Sequence, residues 1–272
     1  MAPRRRGGFA GPPEGPYGIN WGSSQANGLV AWYPLLGHLS TGGRRVQELA
    51  RGNHAAPTSA LDWIGDRRYG RALNFPANGY IPLPRLGLFG PSNQPFTVCL
   101  RANAAADTAM KELFSAGGSW VSDSFVLIYN YPSPHFMTVF QNGTSRFACN
   151  CTLSPGSWYD IAVTYNELGH ARLYINGVQP WDGYTLNTAS NAGFADTWAI
   201  GADCTQGYLY PWSGQIGDVR LYRRCLSAGE MADYAHPSLG WDLAAPLRPW
   251  DRVQALAVTS VATGRKYGPA LQ

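Results

Sequence analysis

The chain has 272 residues, 45% hydrophobic and only 14% charged, with 32 Gly, 20 Pro, 10 Trp, 15 Tyr and 10 Phe. This amount of apolar material excludes disorder of the whole chain, and the abundant glycine, proline and aromatic residues argue against a helical bundle. The formal net charge of +4 is too small to indicate a nucleic-acid-binding protein.

Two extensions without regular periodicity flank the central part of the chain. Residues 1–27 are rich in glycine and proline and lack the apolar segment of a secretory signal peptide. Residues 237–272 carry several prolines and one strand-like run, Ala255–Val261. We therefore expect one domain over residues 28–236, with an extended arm on each side.

Six segments of the central part have the residue pattern of β-strands, either alternating or continuously apolar. Residues 124–145 carry no charge, but prolines and asparagines interrupt them, so we interpret them as two strands around a turn and not as a membrane span. The six segments are Phe96–Ala102, Phe125–Tyr129, Trp158–Tyr165, Ala171–Ile175, Thr197–Gly201 and Gln215–Tyr222.

Turn and helix signals complete the fold prediction. Asn176-Gly177 is a strong signal for a tight hairpin turn. Ser227 followed by Glu230 is the pattern of a helix capping box, and the helix should end before Pro237. Many short antiparallel strands and one short helix predict an all-β, two-sheet antiparallel β-sandwich.

Seven segments in this order resemble the laminin-G-like, concanavalin-A-like lectin/glucanase jelly roll. The resemblance implies a jelly-roll fold, and this family includes glycan-binding modules, adhesion domains and parts of virion proteins, so the fold alone does not choose a role. The matching segments are 28–35, 52–54, 69–75, 95–98, 162–165, 172–177 and 214–227, the last running from Gly214 to Ser227.

Catalytic patterns are absent from the sequence. Glucanases of this family resemble one another in a strand with alternating acids of the Glu-x-Asp-x-x-Glu kind, and this chain has no such cluster. We interpret Glu112, which follows Lys111, as part of a solvated charge pair. The histidines have no zinc-ligand spacing. We therefore expect a protein that is not an enzyme and needs no cofactor.

Calcium is the one metal that the resemblance implies, since laminin-G-like domains often bind it at a loop rim through carboxylates and carbonyls. Asp182, Asp196 and Asp203 lie in predicted loops and are the candidate ligands. The alternative is that these residues serve turns, where aspartate is common for backbone reasons.

Aromatic residues in predicted loops are candidates for a sugar-binding platform, because a pyranose face stacks on an aromatic ring. The alternative is that these rings fill the core and the loop bases. The candidates are Trp120, Tyr131, Trp181, Tyr184, Tyr208 and Trp212.

The terminal arms suggest contacts with neighbouring subunits. We expect a structural or adhesion subunit of a large assembly, most simply a virion protein that forms homo-oligomers. A solvated, flexible terminus explains the three arginines Arg4–Arg6 equally well. Three basic residues are also few for a nucleic-acid contact. The alternative function is a glycan-binding module, calcium-dependent or not, in a particle, in the cytoplasm or at a cell surface. The partner-binding candidates are Arg4, Arg5, Arg6, Trp241 and Trp250.

Overall fold

The part of the chain that the computed structural model describes contains fifteen β-strands and one α-helix. That part comprises residues 17–35, 46–58, 61–66, 70–76, 78–84, 86, 94–106, 109–119, 122–129, 136–141, 145–168, 171–180, 197–204 and 207–246. The strands are β1 (Tyr17–Ile19), β2 (Leu29–Tyr33), β3 (Asp62–Asp66), β4 (Gly70–Phe75), β5 (Ile81–Leu83), β6 (Phe96–Ala104), β7 (Lys111–Ser119), β8 (Ser122–Tyr129), β9 (Phe136–Gln141), β10 (Ser145–Thr152), β11 (Trp158–Tyr165), β12 (Ala171–Ile175), β13 (Trp198–Ile200), β14 (Gly214–Tyr222) and β15 (Ala244–Pro246), and the helix is α1 (Ala228–Ala235).

The strands form two antiparallel sheets and a short ribbon. The six-stranded sheet has the order β10-β9-β8-β7-β13-β5. The seven-stranded sheet has the order β12-β11-β6-β14-β4-β3, and β2 also pairs with β14. The ribbon is β1 paired with β15. The predicted all-β sandwich is confirmed, and all six predicted strand segments are present, with β11 and β12 at their predicted bounds.

Alternating apolar side chains of the two sheets meet in one large core. On β6, Val98 and Leu100 point into this core, whereas Cys99 points to the opposite face. The predicted hairpin turn after β12 is present, with Asn176 and Gly177 at φ 51° and 78°. Positive φ at both central residues matches the right-handed twist of the flanking strands, which is why Asn-Gly is favoured there.

The uncharged segment 124–145 contains most of β8 and all of β9, which pair antiparallel as the sequence predicts. No helix among the described residues is long and apolar enough to cross a bilayer. The structure therefore agrees with the interpretation of this segment as two strands.

A second apolar cluster covers the outer face of the seven-stranded sheet. It joins Trp32 and Cys99 of the sheet to Met231 and Tyr234 of α1 and to Trp241. Ser227 caps α1, accepting a bond from the Glu230 backbone N–H, while the Glu230 carboxylate accepts one from the Ser227 N–H, so the predicted capping box is confirmed.

Two buried ion pairs lie within this second cluster. Arg101 Nε is 2.5 Å from Asp160 Oδ1, and Arg220 Nε is 2.8 Å from Asp218 Oδ2, with all four side chains at most 2% exposed. The Arg101 guanidinium lies 4.6 Å from the Trp241 ring centroid. Each buried charge thus faces an opposite charge, which a low-dielectric interior requires.

The folded region extends beyond the expected boundaries of 28 and 236. Tyr17 pairs with Pro246 in the ribbon, and Asn20 N–H donates to Leu243 O at 2.7 Å. Trp241, predicted to bind a partner from the C-terminal arm, is 1% exposed and packs within this domain. The physical reason is that the outer face of the seven-stranded sheet is apolar and is covered by residues from both ends of the chain.

Candidate functional site

The most unusual backbone in the described residues lies between β13 and β14. We call Gly207–Tyr210 the aromatic loop. Tyr208 and Tyr210 have φ of 66° and 51°, a left-handed conformation that costs energy for residues with a Cβ atom. Leu209 and Tyr210 are 49% and 36% exposed. Strain of this kind is typical of functional sites, because only a required geometry maintains it.

The Tyr208 ring forms a platform with a second ring from another loop. It stacks on Tyr80, which precedes β5, with ring centroids 4.2 Å apart and an interplanar angle of 13°. Both rings are only partly buried. Each ring therefore covers one face of the other, and the outer faces and edges of the pair are what remains for a ligand at the β5 edge of the six-stranded sheet.

Backbone hydrogen bonds hold the aromatic loop on the six-stranded sheet. Asp203 N–H donates to Leu209 O at 2.9 Å, and Tyr208 N–H donates to Asp203 O at 2.6 Å. Glu112 N–H, from β7, donates to Tyr210 O at 2.9 Å. The loop is thus fixed by the backbones of two acidic residues, Glu112 and Asp203.

Glu112 is buried beneath this loop. The side chain is fully buried, and neither carboxylate oxygen has a hydrogen-bond partner among the described residues. Burial, and after it the charge of Asp203, raises the pKa of the Glu112 carboxyl well above its usual range. The interpretation of Glu112 as solvated beside Lys111 is therefore wrong. A β-bulge between Glu112 and Phe114 turns the side chain to the covered outer face of the sheet.

Ser115 and Cys204 complete the floor under the loop. Ser115 Oγ donates to Ala202 O at 2.6 Å and accepts from Cys204 N–H at 2.9 Å. Burial raises the pKa of the Cys204 thiol to about 11. At neutral pH this thiol stays protonated and is a poor nucleophile, so the floor supports the loop and offers no thiolate chemistry.

A second feature, the rim pocket, lies near the far end of β5. Its volume is about 470 Å³, and it is open to solvent. The buried Glu48 carboxylate shapes one wall, since it accepts backbone N–H bonds from Arg51 at 2.8 Å and Asn53 at 3.0 Å. It also accepts one from Trp32 at 3.0 Å, which ties this wall to β2. The lining residues are Gly52, Asn53, His54, Ala55, Ala56 and Pro84.

The structure places two of the predicted aromatic candidates in very different surroundings. Tyr208 lies in the aromatic loop and contributes to the platform. Trp212 is 1% exposed and packs against Tyr129, with ring centroids 5.7 Å apart. Trp212 is therefore a core residue and offers no face to a glycan, because its backbone N–H bonds Gly201 O at 2.8 Å and draws the chain inward.

The remaining predicted site residues divide into two groups. Asp203 is described and buried beside Glu112, and Trp241 is described and buried under α1. The others lie outside the described residues, namely Arg4, Arg5, Arg6, Trp120, Tyr131, Trp181, Asp182, Tyr184, Asp196 and Trp250.

Calcium binding stays a prediction. Of its three candidate ligands only Asp203 lies among the described residues. Within that part of the chain, no group of three or more His, Cys, Asp or Glu side chains is placed to hold a metal ion. Glu112 and Asp203 supply two neighbouring carboxylates, fewer oxygen ligands than calcium takes.

Comparison with protein families gives one match that agrees with this architecture. The family model described as the concanavalin A-like lectin/glucanases superfamily matches residues 75–232, more than half of the chain. No curated protein matches the chain by sequence.

Solved structures with the same fold include sugar-binding and glycosidase proteins. Domain 4 of AbnA, an extracellular arabinanase from Geobacillus stearothermophilus in complex with arabinotriose, is 18% identical, with a TM-score of 0.57 over 76% of this chain and 98% of that domain. Trypanosoma rangeli sialidase is 16% identical, with a TM-score of 0.56 over 77% of this chain and 32% of the sialidase.

A botulinum neurotoxin is a third structure with this fold. The type C toxin, whose cell entry depends on two ganglioside molecules, is 11% identical, with a TM-score of 0.57 over 78% of this chain and 52% of that chain. This chain thus spans about half of that structure and a third of the sialidase. At these identities the likeness shows a shared fold.

Proposed function

We propose that this chain, which belongs to the concanavalin A-like lectin/glucanase superfamily, is a glycan-binding domain that does not hydrolyse its ligand. The observation that carries the proposal is the Tyr80–Tyr208 platform beside the exposed side chains of Leu209 and Tyr210. Flat aromatic faces bind the C–H faces of sugar rings, and a platform held in a strained loop is ordered before its ligand arrives.

The buried acids support binding without hydrolysis. A glycosidase needs two carboxyl groups on either side of a glycosidic bond, one protonated and one ionised. Glu112 and Asp203 are both fully buried beneath the aromatic loop, where no sugar reaches them. Their geometry fits a support for the loop and not a catalytic pair.

Titration calorimetry with soluble glycans tests the proposal. Arabinotriose and a sialylated oligosaccharide, chosen after the fold neighbours, serve as first probes, each with and without a calcium chelator. Tyr208→Ala should weaken binding about tenfold, which corresponds to about 1.4 kcal/mol. Trp21→Ala is the matched control, because Trp21 is 62% exposed and lies beside the ribbon, remote from the aromatic loop.

Three outcomes contradict the proposal. Equal affinity of the wild type and Tyr208→Ala would remove the platform from the site. A loss in Trp21→Ala alone would place binding at the ribbon. Release of shorter sugars from either probe would show that the protein is a hydrolase.

A structural subunit of a virion or another large assembly is the second candidate function. One observation favours it: Tyr17 pairs with Pro246, so residues 1–16 and 247–272 continue from adjacent points of the domain. Because the two segments join the domain at adjacent points, both can contact the same neighbouring subunit, and one of them carries Arg4–Arg6.

Truncation tests the assembly role without harm to the domain. Removal of residues 1–16 and 247–272 leaves the ribbon and Trp241 in place, whereas removal up to residue 27 would delete β1. The assembly role predicts that the shorter truncation abolishes oligomers in light scattering while the unfolding temperature is retained. Unchanged oligomers would contradict it.

A further inference from the structure

Strand β5 and the residue on either side of it carry three ring-bearing side chains on the outer side. Ile81 and Leu83 point into the core, with 0% and 6% exposure. Tyr80, Pro82 and Pro84 alternate with them and are only partly buried. Since alternate residues of an extended segment share one face, these three rings, the β5 row, are expected on one side, spread over about 13 Å from Tyr80 to Pro84 at about 3.3 Å per residue.

Each end of this row leads into a feature already described. At one end Tyr80 stacks on Tyr208 of the aromatic loop. At the other end Pro84 lines the rim pocket. Thr58 N–H and Oγ1–H both donate to Tyr80 O at 3.2 Å, so the segment that leads away from the pocket returns to the platform. The platform and the pocket are therefore two ends of one surface.

The rim pocket adds hydrogen-bonding groups to this apolar row. His54 Nδ1 accepts the Glu48 backbone N–H at 3.2 Å, so in the neutral ring the proton lies on Nε2, which is a donor. Asn53 contributes an amide with both donor and acceptor atoms. The pocket lining contains no Asp, Glu, Lys or Arg residue. A ligand with hydroxyl groups and no charge matches this lining.

We propose that the platform, the β5 row and the rim pocket form one extended site for a neutral, linear oligosaccharide. This inference rests on the proposed glycan-binding function and names the ligand's charge and shape. Rings of successive sugar units lie on Tyr80, Pro82 and Pro84, and the terminal unit places its hydroxyl groups against Asn53 and His54. The ligand lies along the edge of the six-stranded sheet.

Chain length is the variable that tests this site. The full chain is titrated with neutral linear oligosaccharides of increasing length, beginning with the arabinan and β-glucan series. Wild-type affinity should rise about tenfold once the ligand is long enough to reach from Tyr80 to the pocket. Asn53→Ala and Pro84→Ala should keep wild-type affinity for the shortest ligand that binds and lose the gain with length.

Asn53→Ala is a clean variant for this purpose. The Asn53 backbone N–H donates to Glu48 and its carbonyl accepts from the Tyr33 hydroxyl, and the substitution keeps both bonds. Unfolding temperatures of both variants check that the loop is intact. Tyr208→Ala is titrated in parallel, and it should weaken ligands of every length.

The possible results separate this inference from the proposed function. If Tyr208→Ala weakens binding but both pocket variants keep the full gain with length, the extended site is refuted while glycan binding stands. If no neutral or sialylated glycan binds, both proposals fail. If a proline-rich peptide of residues 1–16 binds in a Pro84-dependent way and the oligosaccharides do not, the row is a peptide site.

Discussion

The two outer faces of the sandwich both bury ionisable side chains, and they do so in opposite ways. On the seven-stranded sheet, Arg101 and Arg220 each meet an aspartate within 2.8 Å, under a layer of aromatic rings. On the six-stranded sheet, Glu112 is buried beside a second acid, Asp203. Neither carboxylate oxygen of Glu112 has a hydrogen-bond partner among the described residues. The paired charges stabilise the fold, whereas the buried Glu112 lowers its stability. Glu112 lies beneath the strained, exposed aromatic loop. Costly features of this second kind are typical of binding sites.

Breaking an ion pair on the seven-stranded sheet should have the largest effect. Asp218→Ala leaves Arg220 buried without its partner and removes the acceptor of the Trp32 indole N–H, which bonds Asp218 Oδ1 at 2.6 Å. The free energy of unfolding should fall by about 3–5 kcal/mol, measured by urea denaturation. The double variant Asp218→Ala, Arg220→Met should cost less than the sum of its single changes. An unchanged urea midpoint for Asp218→Ala would show that this pair does not stabilise the fold.

Replacing the buried acid Glu112 on the other face should raise, not lower, the free energy of unfolding. Because the folded state raises the pKa of Glu112 above its ordinary value of 4.5, the folded chain holds a proton that the unfolded chain releases. Wild-type stability should therefore fall as the pH rises above 4.5. Glu112→Gln should be more stable than the wild type near neutral pH, and the difference should vanish below pH 4.5.

Glu230 is the matched control for this titration. The hydrogen bond from Arg224 lowers the pKa of the Glu230 carboxyl, so its ionised form stabilises the folded state. Glu230→Gln should lose stability near neutral pH and approach the wild type as the pH falls through the acidic range. If Glu112→Gln and Glu230→Gln shift stability in the same direction, the contrast between the two faces is wrong.

Relieving backbone strain in the aromatic loop should separate stability from binding. Tyr210→Gly removes a Cβ atom from a residue at φ 51° and should stabilise the fold by about 1 kcal/mol. It should also weaken glycan binding, since the loop becomes less ordered. Tyr210→Ala removes the ring but keeps the strain, so it should weaken binding without the gain in stability. Calorimetric unfolding and glycan titration of both variants measure the two effects.

Loss of the α1 cap should have the smallest effect. Ser227→Ala removes the side-chain acceptor of the Glu230 backbone N–H and should cost about 0.5–1 kcal/mol. The ion pair between Arg224 and Glu230, at 2.6 and 2.9 Å, still holds the first turn. Ser227→Asp should retain most of the wild-type stability, because aspartate also caps helices. Glycan binding should not change, since α1 lies on the opposite face of the sandwich.

Local patterns were sufficient to predict most of the fold. The bounds of β11 and β12, the Asn176-Gly177 turn and the capping box all depend on residues within a few positions of one another. The ribbon and the burial of Trp241 depend on contacts across more than 200 residues, as in the bond from Asn20 N–H to Leu243 O. No local pattern encodes such a contact, so the sequence predicts arms that contact neighbouring subunits.

The candidate site was only partly predictable. Tyr208 could be identified as a loop aromatic, but its partner Tyr80 comes from a distant loop. The preceding Lys111 favours a solvated charge pair, and this prediction is wrong because Glu112 is buried. A signal did exist: the continuous apolar run of β8 predicts that both faces of that strand are covered, and Glu112 pairs with Ile128 on it. The β-bulge between Glu112 and Phe114, which selects the face, has no pattern in the sequence.

The pairing of Tyr17 with Pro246 also determines how the domain responds to mechanical force. Tension applied through the two terminal segments would enter at the same end of the β1–β15 ribbon and pull its strands apart sideways. The three residue pairs of the ribbon would then open one after another, at low force, while the sandwich stays folded. Under load, opening of the ribbon would lengthen the chain between the two points of attachment before the sandwich is disturbed.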